Sequence, residues 1–142
     1  VHIFRLAGIY GPGRNAIETV KAGRALRIKK RGQVFSRIHV DDISQVLAAS
    51  ISMPNPSRVY NVCDNEAAPP QDVISYACQL LGIEPPPLVP FEEAELSAMA
   101  RSFYTENKRV SNTRMREELG VQLKWPNYRV GLKNLLNVKK TS

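Results

Sequence analysis

Ile3-Phe4-Arg5-Leu6-Ala7-Gly8-Ile9-Tyr10 is an almost continuously apolar run, closed by the turn Gly11-Pro12-Gly13. Such a run, without polar alternation, suits a strand buried on both faces, as in a parallel sheet. Arg5 would then be buried within it, and an ion pair with a carboxylate from a missing part of the domain explains it better than solvent. A second strand is read over 58–63, with Val59 and Val62 inside the run. Two strands cannot shelter each other on both faces and edges. The sequence therefore predicts an α/β fold whose sheet is incomplete.

The stretches between the strands supply helices. A short one is expected over 16–22, ended by Gly23. Two short runs flank Lys30-Arg31-Gly32-Gln33, the second over 34–40, and the glycine-containing turn suggests a small hairpin. At Asp41-Asp42 a carboxylate can accept the free amide hydrogens of a first helical turn and meet the positive end of its dipole. Ile43, Leu47, Ser50 and Ile51 share a face of that helix, which Pro54 and Pro56 stop. Pro69-Pro70 introduces the clearest helix, 71–81, with Val73, Ile74, Ala77, Leu80 and Leu81 at helical spacing and Gly82 as its cap. Pro85-Pro86-Pro87 is a stiff connector, too short to separate modules. Residues 92–101 read as helical. Ser111, Asn112 and Thr113 offer caps for a helix through Leu119, ended by Gly120. Asn127 can cap a last helix carrying Val130, Leu132, Leu135 and Leu136. These apolar stripes ask for more sheet than the chain brings. The expectation is one unit over residues 1–142, completed by another copy, another polypeptide or an N-terminal half. A start at Val1, without methionine, fits a processed or excised piece.

With 142 residues, 43% apolar and 23% charged, the composition is that of an ordinary globular chain. No apolar run approaches the roughly 20 residues that span a bilayer. The opening residues, with His2 and Arg5, lack a signal-peptide cleavage pattern. Cys63 and Cys78 are too few for a disulfide scaffold, and as reduced packing thiols they point to the cytoplasm. His2 and His39 stand apart with no ligand cluster, so no metal site is expected. The net charge of +7 is carried partly by Arg24, Arg27, Lys29, Lys30 and Arg31, and by Lys139 and Lys140. No aromatic stacking series accompanies them, so a solvated surface and tail is preferred to a nucleic-acid partner.

Arg5 to Gly13 resembles the Arg-x-x-x-x-Tyr-Gly-Pro-Gly segment of extended short-chain dehydrogenases and nucleotide-sugar epimerases. Ile38-His39-Val40-Asp41-Asp42-Ile43 resembles a second segment of that family, at the expected distance. Tyr60-Asn61-Val62, with its polar loop and the 71–81 helix, resembles a third. An atypical, NAD-dependent epimerase/dehydratase-like branch is most similar, and there Asn107-Lys108-Arg109-Val110-Ser111-Asn112 also has a counterpart. The resemblance implies the C-terminal portion of a Rossmann-like, doubly wound fold with a small α+β substrate-side subdomain. The complete protein would use NAD or NADP for hydride transfer to or from a small-molecule substrate. Strands of such sheets deliver their C-terminal ends to the ligand crevice. Ala7 and Gly8, being small, would let the backbone approach a flat nicotinamide, and Leu6, Ala7 and Gly8 are the cofactor-binding candidates.

Two family elements are not found. The chain has neither the glycine-rich pyrophosphate turn nor, before the Arg5 segment, the Tyr-x-x-x-Lys pair in which the lysine lowers the phenol pKa for proton transfer. No catalytic residue is therefore assigned, and the chain alone is expected to bind NAD(P) weakly or not at all. Tyr104-Thr105-Glu106-Asn107-Lys108 has the right spacing but lies on the wrong side of the Arg5 segment. Nucleotide-sugar enzymes usually carry an asparagine where Gly8 stands and an arginine where Phe35 stands, with Arg37 close by. Those departures remove charge-assisted phosphate contacts and weaken the case for a nucleotide sugar. Arg37, His39 and Tyr104 are the candidates for a substrate wall, although for His39 a helix-entry role satisfying backbone carbonyls is preferred. Asp41 and Asp42 read as helix-start carboxylates before a catalytic dyad. A second reading is a non-catalytic module on the same fold, recruiting an anionic partner such as RNA through its basic surface.

Overall fold

The computed structural model describes residues 2–53, 58–104 and 110–141, with side chains through residue 137. The opening run forms two strands, β1 (His2–Leu6) and β2 (Gly8–Tyr10). The chain changes partner between them. Ala7 N–H donates to the Val62 carbonyl at 3.1 Å, and the next amide, Gly8 N–H, turns to the Ser36 carbonyl at 3.3 Å. Accordingly β1 lies parallel to β5 (Arg58–Val62), with Phe4 opposite Tyr60. β2 lies parallel to β4 (Arg37–His39), with Ile9 opposite Ile38. A third parallel pair joins β3 (Arg27–Lys29) to β6 (Leu88–Pro90).

All three described sheets have two strands, which is the incomplete α/β sheet that the sequence implied. Two expectations need correction. The runs around Lys30–Gln33 form no hairpin: the turn is made, with Gln33 N–H on the Lys30 carbonyl, but β3 and β4 then pair with β6 and β2. Phe35 takes up an antiparallel bridge with Ala68 just before β4, and this draws the second run away from the first. Nor is the opening run buried on both faces. Ile3 is 55% and Leu6 49% exposed, Arg5 is exposed as well, and β1 has a strand on one edge only among the described residues.

The helices are α1 (Ala16–Lys21), α2 (Val40–Ser52), α3 (Pro70–Leu81), α4 (Ala98–Phe103), α5 (Thr113–Leu119) and α6 (Tyr128–Thr141). Asn15 caps α1, its side chain accepting from Glu18 N–H at 3.0 Å while donating to the Gly11 carbonyl at 2.8 Å. α3 begins with Pro70 in its first turn and ends at Gly82 in the left-handed conformation, φ 70°, as its sequence required. Gly120 ends α5 in the same way, and Asn127 caps α6 by accepting from Val130 N–H. The helix expected over 92–101 begins later. A 3-10 turn at Phe91–Glu93 gives way to extended backbone at Ala94, and Ser97 then starts α4 by accepting from Ala100 N–H. Pro54 and Pro56, and the side chains of Lys139 and Lys140, lie outside the described residues.

Two apolar clusters flank the β2–β4 pair. One gathers Tyr10, Ile17, Val73, Ala77 and the α6 residues Leu132, Leu135 and Leu136. The other packs Ile38, Val46, Tyr60 and Val62 against Met115 and Leu119 of α5. Burying each of the larger side chains contributes about 1.5–3 kcal/mol. Cys63 and Cys78 are free, buried thiols within this packing. No helix among the described residues is long and apolar enough to cross a membrane.

Candidate functional site

The break between β1 and β2 opens a cleft of about 850 Å³ at the C-terminal end of β1. Its walls include Leu6, Ala7 and Gly8 from the strand junction, Phe35, Ser36 and Arg37 before and on β4, and Ala100, Phe103 and Tyr104 from the α4 segment. The three cofactor candidates and two of the three substrate candidates thus meet around one space. A Cβ added at Gly8 would lie 3.6 Å from the Ser36 carbonyl, so small residues keep this floor open rather than relieve a clash. The bare backbone at Ala7 and Gly8, beside the half-exposed Leu6, suits a flat ring laid against it.

Arg37 reaches the cleft from β4. Its Nη1 donates to the carbonyls of Phe35 at 2.9 Å and Ala68 at 3.3 Å. Nε and Nη2 form no hydrogen bond among the described residues. Burial pulls its pKa down, and the negative charge of Asp64 opposes that shift. Asp64 is itself buried, and loss of solvent pushes its carboxyl up to about 7. One of its oxygens accepts from Glu66 N–H at 3.1 Å; the other is buried without a partner among the described residues. The buried Tyr10 hydroxyl likewise has no partner among them, and desolvation, with the charges of Asp64 and Asp42 behind it, raises its pKa. Asp64 and Tyr10 were not singled out from sequence as site residues. Asp64 had one legible signal, a carboxylate two residues past the C-terminal end of a parallel strand, where crevices of such sheets form.

Tyr104 closes the cleft from the other side. Its ring stacks on Phe91 at 5.2 Å and meets Phe35 edge-on at 5.4 Å. Lys30 donates to its carbonyl and lies 4.9 Å over the Phe91 ring, while Arg101 lies 4.7 Å over that ring. Burial raises the Tyr104 pKa, with Arg37 opposing. Residues 105–109 lie outside the described residues, so the rest of the Tyr104–Lys108 spacing and the first half of the Asn107–Asn112 segment have no structural account. Among the basic group near the third strand, Lys30 is engaged here, and Arg27 donates to the Pro86 carbonyl at 2.6 Å.

The structure does not bring His39 to the cleft. It is 1% exposed and stands at the start of α2, where Nδ1 accepts from Asp41 N–H at 3.0 Å. A ring nitrogen that accepts there must be unprotonated, and burial accordingly lowers its pKa. His39, rather than a carboxylate, thus caps the helix. Asp42, fully buried, points instead at a distant loop and accepts from Lys124 N–H at 2.8 Å and Trp125 N–H at 3.0 Å. No group of His, Cys, Asp and Glu suited to a metal ion occurs among the described residues.

No protein-family model matches the sequence. The curated Escherichia coli K12 protein YeeZ is 28% identical over 127 residues, which is 89% of this chain and 41% of that protein. A solved conserved protein of unknown function from Silicibacter pomeroyi is 62% identical, with a TM-score of 0.91 over 98% of this chain and 48% of its own. A solved putative NAD-dependent epimerase/dehydratase from Methylobacillus flagellatus is 29% identical, with a TM-score of 0.71 over 98% of this chain and 47% of its own. Further epimerases and a dehydratase, two of them solved with NADPH or NAD, are at most 20% identical and share the fold. The chain spans about half the length of the proteins it matches, as a C-terminal half would.

Proposed function

We propose that this chain, which has the fold of about half an NAD-dependent epimerase/dehydratase, forms the substrate-side half of an NAD(P)-dependent oxidoreductase or epimerase. One observation carries the reading. Leu6, Ala7 and Gly8, chosen as a cofactor face, and Arg37 and Tyr104, chosen as a substrate wall, line the same cleft. When bound, the nicotinamide would supply the hydride donor or acceptor. Ala7 and Gly8 offer it a floor without side-chain bulk, and Leu6 keeps water from its edge. Arg37 holds an anionic substrate group through the free side of its guanidinium, and Tyr104 packs against the substrate body.

The open edge of β1 and the exposed Ile3 and Leu6 support completion by further parallel sheet. That second half would bring the pyrophosphate turn and the proton-transferring pair. The test is a pair of NADH and NADPH fluorescence titrations, one on this chain alone and one on the native full-length polypeptide. The chain alone should bind weakly or not at all, and the native polypeptide should bind one equivalent. Tight stoichiometric binding by the chain alone, or none by the native polypeptide, would overturn the reading.

A further inference from the structure

Behind the cleft lies a second chamber of about 360 Å³. The partition is shared: Tyr10, Arg37, Ala100 and Tyr104 line both spaces. Beyond it the chamber is walled from four elements, by Ile28 of β3, Val73 and Ile74 of α3, Leu132 of α6 and Ala16 of α1. Its remaining cation, Arg24, is solvent-exposed, as is Arg5 of the main cleft. A guanidinium therefore stands between two largely apolar spaces, with three of its five N–H donors forming no hydrogen bond among the described residues.

That arrangement selects a ligand with a single compact anionic head and an apolar arm. A diphosphate would need several converging donors, and the cleft gives it one sheltered guanidinium. Arg37 is desolvated, and burial disfavours the anionic form of Asp64, whose charge acts on it, so a ligand carboxylate adds to a countercharge that Asp64 supplies only in part. At about 30 Å³ for each non-hydrogen atom, the recess holds at most about a dozen. We propose that the second chamber is a binding site for the apolar arm of an organic acid whose carboxylate sits on Arg37. The placing of that acid's head beside a cofactor rests on the function proposed above; the chamber and its ligand class do not.

The experiment is a calorimetric titration of the native full-length protein with butyrate, hexanoate, octanoate and decanoate, alongside 1-octanol. Affinity should rise about tenfold for each two added methylenes until the recess is full. Ile74 is only partly buried and faces the chamber, so Ile74→Trp should take up about half of it without opening the core. In that variant butyrate should bind as before and the gain from longer arms should stop at a shorter acid. Arg37→Met should weaken all four acids alike and leave 1-octanol unchanged; if it fails to fold by circular dichroism, the Ile74→Trp series still decides. A flat response to chain length, or an unchanged gain in Ile74→Trp, overturns the proposal. NADPH titration of the same samples separates the two readings: cofactor binding with a flat acid series sinks the chamber alone, and a rising acid series without cofactor binding sinks the oxidoreductase alone.

Discussion

The phenol of Tyr10, at the end of β2, rests against the bare backbone of Gly131 in α6. A Cβ built on Gly131 would overlap the Tyr10 hydroxyl and come within 2.8 Å of Cζ and 2.9 Å of Cε2. Glycine inside a helix ordinarily costs about 0.5–1 kcal/mol relative to alanine, so its presence here is explained by the ring it admits. This contact ties the strand that leads into the cleft to the C-terminal helix.

Gly131→Ala should therefore destabilise the protein, by about 1–3 kcal/mol, despite its higher helix propensity. Urea unfolding followed by circular dichroism measures this. Tyr10→Phe removes a buried hydroxyl that has no partner among the described residues and should be close to neutral. Combined with Gly131→Ala it should recover part of the loss, since the ring carbons still crowd the new methyl. An unchanged unfolding midpoint in Gly131→Ala would show that α6 moves freely against β2.

Asp42 joins α2 to the loop before α6 through the amides of Lys124 and Trp125, and it also accepts from Gln45 Nε2 at 3.3 Å. Replacing it by alanine leaves two amides unsatisfied at a fully buried position, a cost of about 3 kcal/mol or more. Asp42→Asn keeps one acceptor and should lose less. Equal losses in the two variants would mean that the side chain's shape contributes nothing and that both carboxylate oxygens are needed as acceptors.

The strands of the parallel pair and α3 were legible because their signals are local: apolar runs, proline at a helix start, glycine at its end. The β3 and β6 pairing was not, since each is three residues long and its partner lies some 60 residues away, beyond anything a turn can specify. The cleft was half legible. Leu6, Ala7, Gly8, Arg37 and Tyr104, which come from three separate segments, line one space. His39 lies apart from it: its residue type suits both a helix cap and a ligand contact, and its burial against Tyr10 and Trp125 fits the cap. Asp64 escaped notice because burial, which gives it its character, is set by the tertiary packing.

Ile3 gives a prediction with opposite outcomes in two settings. On the chain alone it is 55% exposed on an open strand, a surface prone to association. Ile3→Lys should shift the isolated chain toward the monomer in light scattering. In the native full-length polypeptide the proposed second half would cover this position, and the same change should cost about 2 kcal/mol or more. A full-length protein indifferent to lysine at this position would mean that β1 stays uncovered there.

Asp64 and His39 should pull the pH dependence of stability in opposite directions. The folded-state pKa of Asp64 is raised by burial to about 7, above that of an unfolded aspartate, so the native state holds the extra proton between them. Its stabilising contribution is complete below about pH 4 and is lost as pH rises toward 7, on the order of 2–4 kcal/mol across that span. The pKa of His39 is lowered by burial, so the unfolded state binds the extra proton, and stability falls as pH drops below the ordinary histidine value. The unmodified protein should then show a shallow net profile between pH 5 and 7, measured by urea midpoints. Asp64→Asn, which can still accept from Glu66 N–H, should remove the loss on the alkaline side and raise stability at pH 8. His39→Asn, able to cap α2 without titrating, should remove the loss on the acidic side. If Asp64→Asn leaves the slope between pH 5 and 7 unchanged, Asp64 is ionised throughout, and the negative charge facing Arg37 is then permanent, which weakens the ground for an anion on that guanidinium.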